Sequence, residues 1–380
     1  MKRSANLRSL NDETFRMSIH SHHRRCDMKT KRIAVLIATA LLYTLQVWAQ
    51  SRPYRVGTTT ASFLEIGAES AGCAMGDAYV SVARDLSSVY WNPAGLSYMT
   101  RNEVQFAYQP WIADINFSHA GVAVVLPNYG TVAISFTGMN YGNTPVTTLE
   151  NPEGTGESYS AMDIAASLSY ARKLVQWFGF GFSIKYIASS IWHMRADAAA
   201  LDLGLLINTD FFSPDGNREN GLSIGMSISN YGTRMKYDGI DLLQPIDIAP
   251  DEYGNYKDVE GQYRLQSWEL PLIFRIGASV IPFKTDNRQL CLALDALHPN
   301  NNSESVNLGG EYRMIQPGMF KFFLRAGYHA LFMDSSEYGW TFGGGIHWAL
   351  MNNKDLKFDY AYKTLGLLGN YSMFTVGAAF

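Results

Sequence analysis

Only three cysteines occur in 380 residues: Cys26, Cys73 and Cys291. They stand too far apart for a disulfide framework or a thiolate metal site. Proline is sparse at 13 residues, and charged residues make up 17% of the chain, against about 25% in an average soluble domain. A basic excess is also missing where it would matter. Residues 1–49 hold nine Lys/Arg and three Asp/Glu, and the remainder holds 22 basic and 31 acidic groups. Nucleic-acid binding is therefore excluded as the main activity. Beyond residue 49 no long apolar run offers a spanning helix of ~20 residues. The five histidines there (His119, His193, His298, His329 and His347) show no ligand spacing, and neither a phosphate loop nor a dinucleotide fingerprint follows a strand. No metal, no other cofactor and no enzymatic activity are expected.

What the chain does have is glycine (33 residues) and 13% aromatics. At the start, Met28-Lys29-Thr30-Lys31-Arg32 forms a basic stretch, Ile33 to Leu45 an apolar one, and Val47-Trp48-Ala49 a cleavage-type ending. This order reads as a secretory signal peptide over 28–49, cleaved before Gln50. Residues 1–27 fit no such pattern and read as an upstream extension, with Met28 as the true start.

The body repeats a period of two. Phe178, Phe180, Phe182, Ile184 and Tyr186 alternate with Gly179, Gly181, Ser183 and Lys185. Trp340, Phe342, Gly344, Ile346 and Trp348 alternate with Thr341, Gly343, Gly345 and His347. One face of each segment is greasy and the other small or polar, which suits a barrel with lipid outside and a filled or wet lumen. Fourteen such segments are predicted: 103–109, 115–126, 130–140, 159–173, 175–191, 197–211, 221–231, 267–281, 288–297, 305–315, 320–329, 337–349, 354–363 and 371–380. The number is even, and the longer connections fall on one side, as in outer-membrane barrels with long outer loops and short periplasmic turns. Phe374, Val376 and Phe380 share a face of the last segment and read as a barrel-insertion signal. The fold class is thus all-β, a transmembrane antiparallel barrel of about 14 strands over 101–380. Charges on its inward positions, such as Lys185, Asp202, Arg325 and Lys363, are expected to pair with one another or with a plug.

Residues 50–100 differ. They contain Phe63-Leu64-Glu65-Ile66-Gly67, then Gly72-Cys73-Ala74-Met75-Gly76-Asp77-Ala78, then Trp91-Asn92-Pro93-Ala94-Gly95. These runs resemble the N-terminal signature of the PorV/PorQ family of FadL-like outer-membrane barrels, with Ala74 where members often carry Gly. Asp295-Ala296, Asn307 to Arg313, Arg325-Ala326-Gly327-Tyr328 and Asp359 to Tyr362 extend the resemblance over nearly the whole mature chain. It implies that the segment folds inward as a hatch, carried by Gly67, Met75, Gly76, Asp77, Trp91, Asn92, Pro93, Ala94 and Gly95. It also implies a non-enzymatic accessory of protein export of the type IX kind, with a secretion translocon or exported cargo as partner. The alternative it leaves is a FadL-like channel for hydrophobic small molecules. The outer loop 232–266 carries Tyr237, Tyr253, Tyr256 and Tyr263, candidates for partner contact because tyrosine offers rigid area at low entropic cost. Its seven carboxylates lack calcium-loop spacing.

Overall fold

Alternation along a strand turns every second side chain to the same face. In the computed structural model that face is consistently the apolar one outside. The structure describes residues 55–255, 257–333, 336–350 and 354–380; the upstream extension and the signal peptide lie outside them. Among the described residues there are seventeen strands: β1 (Glu103–Pro110), β2 (Asn116–Leu126), β3 (Gly130–Pro145), β4 (Ser158–Val175), β5 (Phe178–Ile191), β6 (Met194–Asn208), β7 (Ser223–Gly232), β8 (Asp238–Gly239), β9 (Leu243–Ile246), β10 (Val259–Gln262), β11 (Ile273–Lys284), β12 (Arg288–Pro299), β13 (Ser305–Gln316), β14 (Phe320–Leu331), β15 (Trp340–Leu350), β16 (Lys354–Thr364) and β17 (Asn370–Ala379).

Fourteen of them, β1–β7 and β11–β17, pair antiparallel with their neighbours in chain order, and β1 pairs with β17 to close the ring. Closure removes the free edges an open sheet would leave. Each of the fourteen segments read from the sequence corresponds to one of these strands. The remaining three lie in the long connection 233–272: β8 extends β6, and β9 with β10 forms a separate hairpin.

The two faces divide as the periodicity requires. In β1, Glu103, Gln105 and Ala107 are buried while Val104, Phe106 and Tyr108 are exposed. Phe136 at 61% and Leu324 at 60% exposure face outward in the same way. Such a surface would be a liability in water but suits lipid. Phe374, Val376 and Phe380 belong to it. Phe380 is held to Asn102 by reciprocal backbone hydrogen bonds of 2.9 and 3.0 Å, so the chain end is clamped beside the start of β1.

The connections sort by end, with one departure. Residues 146–157 and 233–272 lie at one end, the loop end, while 127–129, 285–287 and 317–319 make tight turns at the other. The departure is 209–222, a long link at the turn end. It is ordered by Asp215, which accepts from Asn217 N and Asn220 Nδ2, and by the backbone pair Thr209–Leu222.

Candidate functional site

Small residues and helix-stop signals allow 57–100 only short helical pieces, Ser62–Glu65, Ser70–Ala74, Ser88–Trp91 and Pro93–Tyr98. The pieces thread through the ring from the loop end to the turn end. Thr60 N donates to Glu269 O at 3.0 Å at the loop end. Ser70 bonds Thr375 and Met373 on β17. Thr341 Oγ1 on β15 donates to Ala74 O at 2.9 Å, and Val80 N donates to Asp295 on β12 at 2.9 Å. Near the turn end, Leu86, Val89 and Leu96 pack against Ala123, Ala133 and Ala171.

The nine residues singled out in this segment all prove to be packing or hydrogen-bonding elements. Asn92 is fully buried and uses its whole amide: Nδ2 donates to Val80 O and Leu205 O, both at 2.9 Å, and Oδ1 accepts from Ala94 N at 3.1 Å. The last bond caps the 3₁₀ turn that Pro93 opens with its fixed φ. Trp91 lies against Gly72, where a Cβ would come within 2.6 Å of the indole, and against Gly67 at 3.4 Å. Its Nε1 donates to Glu69 Oε1 at 3.1 Å. Gly95 leaves no room for a side chain beside Ala83 and Ser88. Met75 and Ala94 are wholly buried. At Gly76 φ is +67°, and a Cβ would meet Tyr328 N at 2.7 Å, so glycine is required there twice over.

Asp77 makes the principal charged contact with the wall. Its Oδ2 lies 2.5 Å from Lys363 Nζ and 3.0 Å from His329 Nδ1. Burial alone would raise this carboxyl, but Lys363 and His329 beside it hold it well below the usual range. Asp85 pairs at 3.4 Å with Lys357, which also holds Glu103 at 2.6 Å. Glu69, by contrast, has no ion-pair partner among the described residues. Its carboxylate caps the Ser70–Ala74 turn by accepting from Ala71 N and Gly72 N, and burial, with Asp85 adding to it, pushes it up to about 8.

The wall also pairs with itself: Lys185 with Asp202 at 2.6 Å, Arg325 with Glu311 at 2.8 Å and with Asp359 at 2.6 Å. Where hatch backbone presses on it, the wall carries inward glycines. A Cβ at Gly181 would meet Pro93 O at 2.5 Å, and one at Gly327 would meet Met75 O at 2.6 Å. Lys363, expected from the sequence to pair with another wall charge or a plug, does pair with Asp77 of the segment, while Glu69 as the cap within the segment was not read from the sequence. Glycine at inward strand positions was the signal for the cradle. A small cavity survives between Phe63, Leu64 and Ile66 and the wall residues His119, Thr137 and Lys185.

One chemical motif passes unnoticed in the sequence. Gly221-Leu222-Ser223-Ile224-Gly225 has the spacing of a nucleophile elbow. Ser223 instead opens β7, and its hydroxyl is engaged at 2.8 Å by both Asn208 and Arg84 with no histidine among its hydrogen-bond partners. The strand context removes the strained strand-to-helix turn such a nucleophile needs.

In the loop 233–272, Tyr237 is half-buried against the inner cluster of Phe63 and Met235. Tyr253 and Tyr263 are exposed, and Tyr256 lies outside the described residues.

A closed ring of fourteen tilted strands, apolar outside and ionic within, defines an outer-membrane-type β-barrel. The chain matches the family described as Type IX secretion system protein PorV over residues 49–249, and it belongs to that family. Among solved structures it is similar to the Pseudomonas putida toluene transporter TodX, at 11% identity and TM-score 0.51, covering 83% of this chain and 98% of that one. It is also similar to the CymD monoaromatic hydrocarbon channel, at 10% identity and TM-score 0.50, covering 82% and 96%. At such identity the likeness concerns the fold. None of the curated proteins compared matches the chain.

Proposed function

We propose that this protein is a non-enzymatic outer-membrane accessory of protein export, in which 50–100 is a hatch, 101–380 the barrel, and the loop end binds a secretion translocon or exported cargo. The carrying observation is the filling of the lumen. The hatch is tied to the wall by buried ionic and hydrogen-bonded contacts, Asp77–Lys363 and Asn92–Leu205 among them, which supports a seated plug over an open apolar lumen. Membership of the PorV family supports the export role. With the lumen occupied, the surface left for recognition is the long connection 233–272, where Tyr253 and Tyr263 stand free. Neither nucleic acid nor a cofactor has a part in this reading.

A second reading, passage of hydrophobic small molecules, draws on the similar hydrocarbon channels and on the cavity beside Phe63, Leu64 and Ile66. Its opposite wall is polar, with His119, Thr137 and Lys185. One experiment separates the two. Deleting 240–260 should leave the barrel folded, seen as heat-modifiable migration, while reducing surface delivery of cargo. Untouched export, together with loss of uptake of a hydrophobic compound in a null mutant, would establish the channel.

A further inference from the structure

The connection 233–272 is acidic overall, yet its basic residues gather at one place. Met235 N donates to Trp268 O at 2.9 Å and Trp268 N to Met235 O at 2.8 Å, which sets 234–236 antiparallel to 267–269. Met235 turns inward onto the Phe63–Leu64 cluster, so alternation turns Arg234 and Lys236 to the other side. There they meet Arg264, and with Leu265, Gln266 and Ser267 they line a cavity of about 580 Å³. This volume is within the usual range for ligand sites.

Charge is unbalanced around it. Glu269 lies 2.7 Å from Arg234 and is shared with Arg55 at 3.8 Å. Among the described residues neither Lys236 nor Arg264 has an ion-pair partner. Two acids of the same connection are engaged elsewhere: Asp241 with His193 at 3.0 Å, Asp238 with Gln262 at 2.8 Å. Two guanidinium groups and an ammonium around one cavity fit an oxyanion, since the guanidinium fork matches phosphate geometry.

The level of the cavity selects the source of that anion. Tyr231, the penultimate residue of β7, is exposed, and so is Trp268, which bridges Met235; aromatics of this kind mark the lipid boundary of barrels. Arg234 follows Tyr231 by three residues, so the cations stand within about 10 Å of that boundary aromatic. We infer that Arg234, Lys236 and Arg264 bind the phosphate-bearing headgroup of an outer-leaflet glycolipid. The inference rests on the outer-membrane placement proposed above, with the loop end outward.

The test uses the full mature chain in detergent. Binding is read by native mass spectrometry with diphosphorylated lipid A, with the same lipid dephosphorylated, and with inorganic phosphate. Wild type should retain the diphosphorylated lipid but not the dephosphorylated one. The variant R234Q/K236Q/R264Q should bind about a hundredfold more weakly, at about a tenfold or less per cation. Lys257→Gln, at the far end of the connection, should bind as wild type, and heat-modifiable migration confirms that each variant is folded. Equal retention by the triple variant, equal binding of both lipids, or binding of inorganic phosphate without the lipid would each overturn the inference. So would binding of a Glu-rich peptide in place of the lipid. Fractionation of the protein away from the outer membrane would defeat the placement instead, whatever the purified chain binds.

Discussion

Lys363→Met should release the hatch without unfolding the barrel. Lys363 and Asp77 have side chains only 4% and 9% exposed and lie 2.5 Å apart. Removing one partner of such a pair strands the other charge in the interior, at a cost of ~3–5 kcal/mol. His329, 3.0 Å from Asp77, remains as a partial partner, so the low end, roughly 3 kcal/mol, is expected. That lowers the ratio of seated to displaced hatch by a factor of about 100. Cys73 supplies a native reporter, because it is buried on the turn just before Asp77 and burial pushes its thiol well above the ordinary range. In a Cys291→Ala background, a bulky maleimide should label Cys73 negligibly in the parent and at a clearly raised rate after Lys363→Met. Asp77→Asn with Lys363→Met removes both charges and should restore most of the protection. Unchanged labelling and an unchanged urea midpoint for Lys363→Met alone would refute the claim that this pair secures the segment.

Asn92→Asp keeps the shape but faces a carboxylate with two carbonyls, Val80 O and Leu205 O; a loss of about 3 kcal/mol or more is expected in urea unfolding. Glu69 gives a pH dependence of defined sign: its folded value, about 8, exceeds 4.5, so its contribution is full below 4.5 and lost as pH rises towards 8. Protease resistance of the hatch should therefore fall across that window, and Glu69→Gln should flatten the fall. Asp77, held low, acts oppositely, and its contribution is lost only as pH falls below the usual carboxylate range. Leu324→Arg, on the lipid face, should cost about 2–4 kcal/mol in refolding into vesicles, while a soluble barrel would tolerate it.

Much of the barrel was legible because lipid outside and small or charged residues inside enforce a strict period of two. The segment Phe178 to Tyr186 shows it directly: its aromatics and Ile184 face out, while Gly181, Ser183 and Lys185 are buried. Boundaries were less legible. β11 begins at Ile273 rather than 267, just after Pro271, which has no N–H for the ladder, and β3 continues past residue 140 to Pro145, because strand pairing above the lipid no longer requires an apolar face. β8, β9 and β10 were missed for the same reason. The partners of the hatch were beyond reach, since Asp77 and Lys363 stand 286 positions apart and nothing local marks them as a pair.

Whether the hatch is a gate or a fixture follows from the inward glycines. Gly181, Gly204, Gly309 and Gly327 occupy strand positions where glycine costs roughly 0.5–1 kcal/mol each relative to a residue with a side chain. That cost is offset only while backbone fills the space, and each of these positions faces hatch backbone or the Asn92 amide. A displaced hatch would leave bare glycine strands, a stranded Lys363 and an Asp295 without its Val80 donor around an open lumen. Residues 57–100 are therefore packed as part of the barrel's interior, and the proposed role keeps them seated. Under the proposed export role, recognition would fall to the surfaces the ring still presents with the segment seated, the connection 233–272 with its tyrosines and its cluster of cations among them.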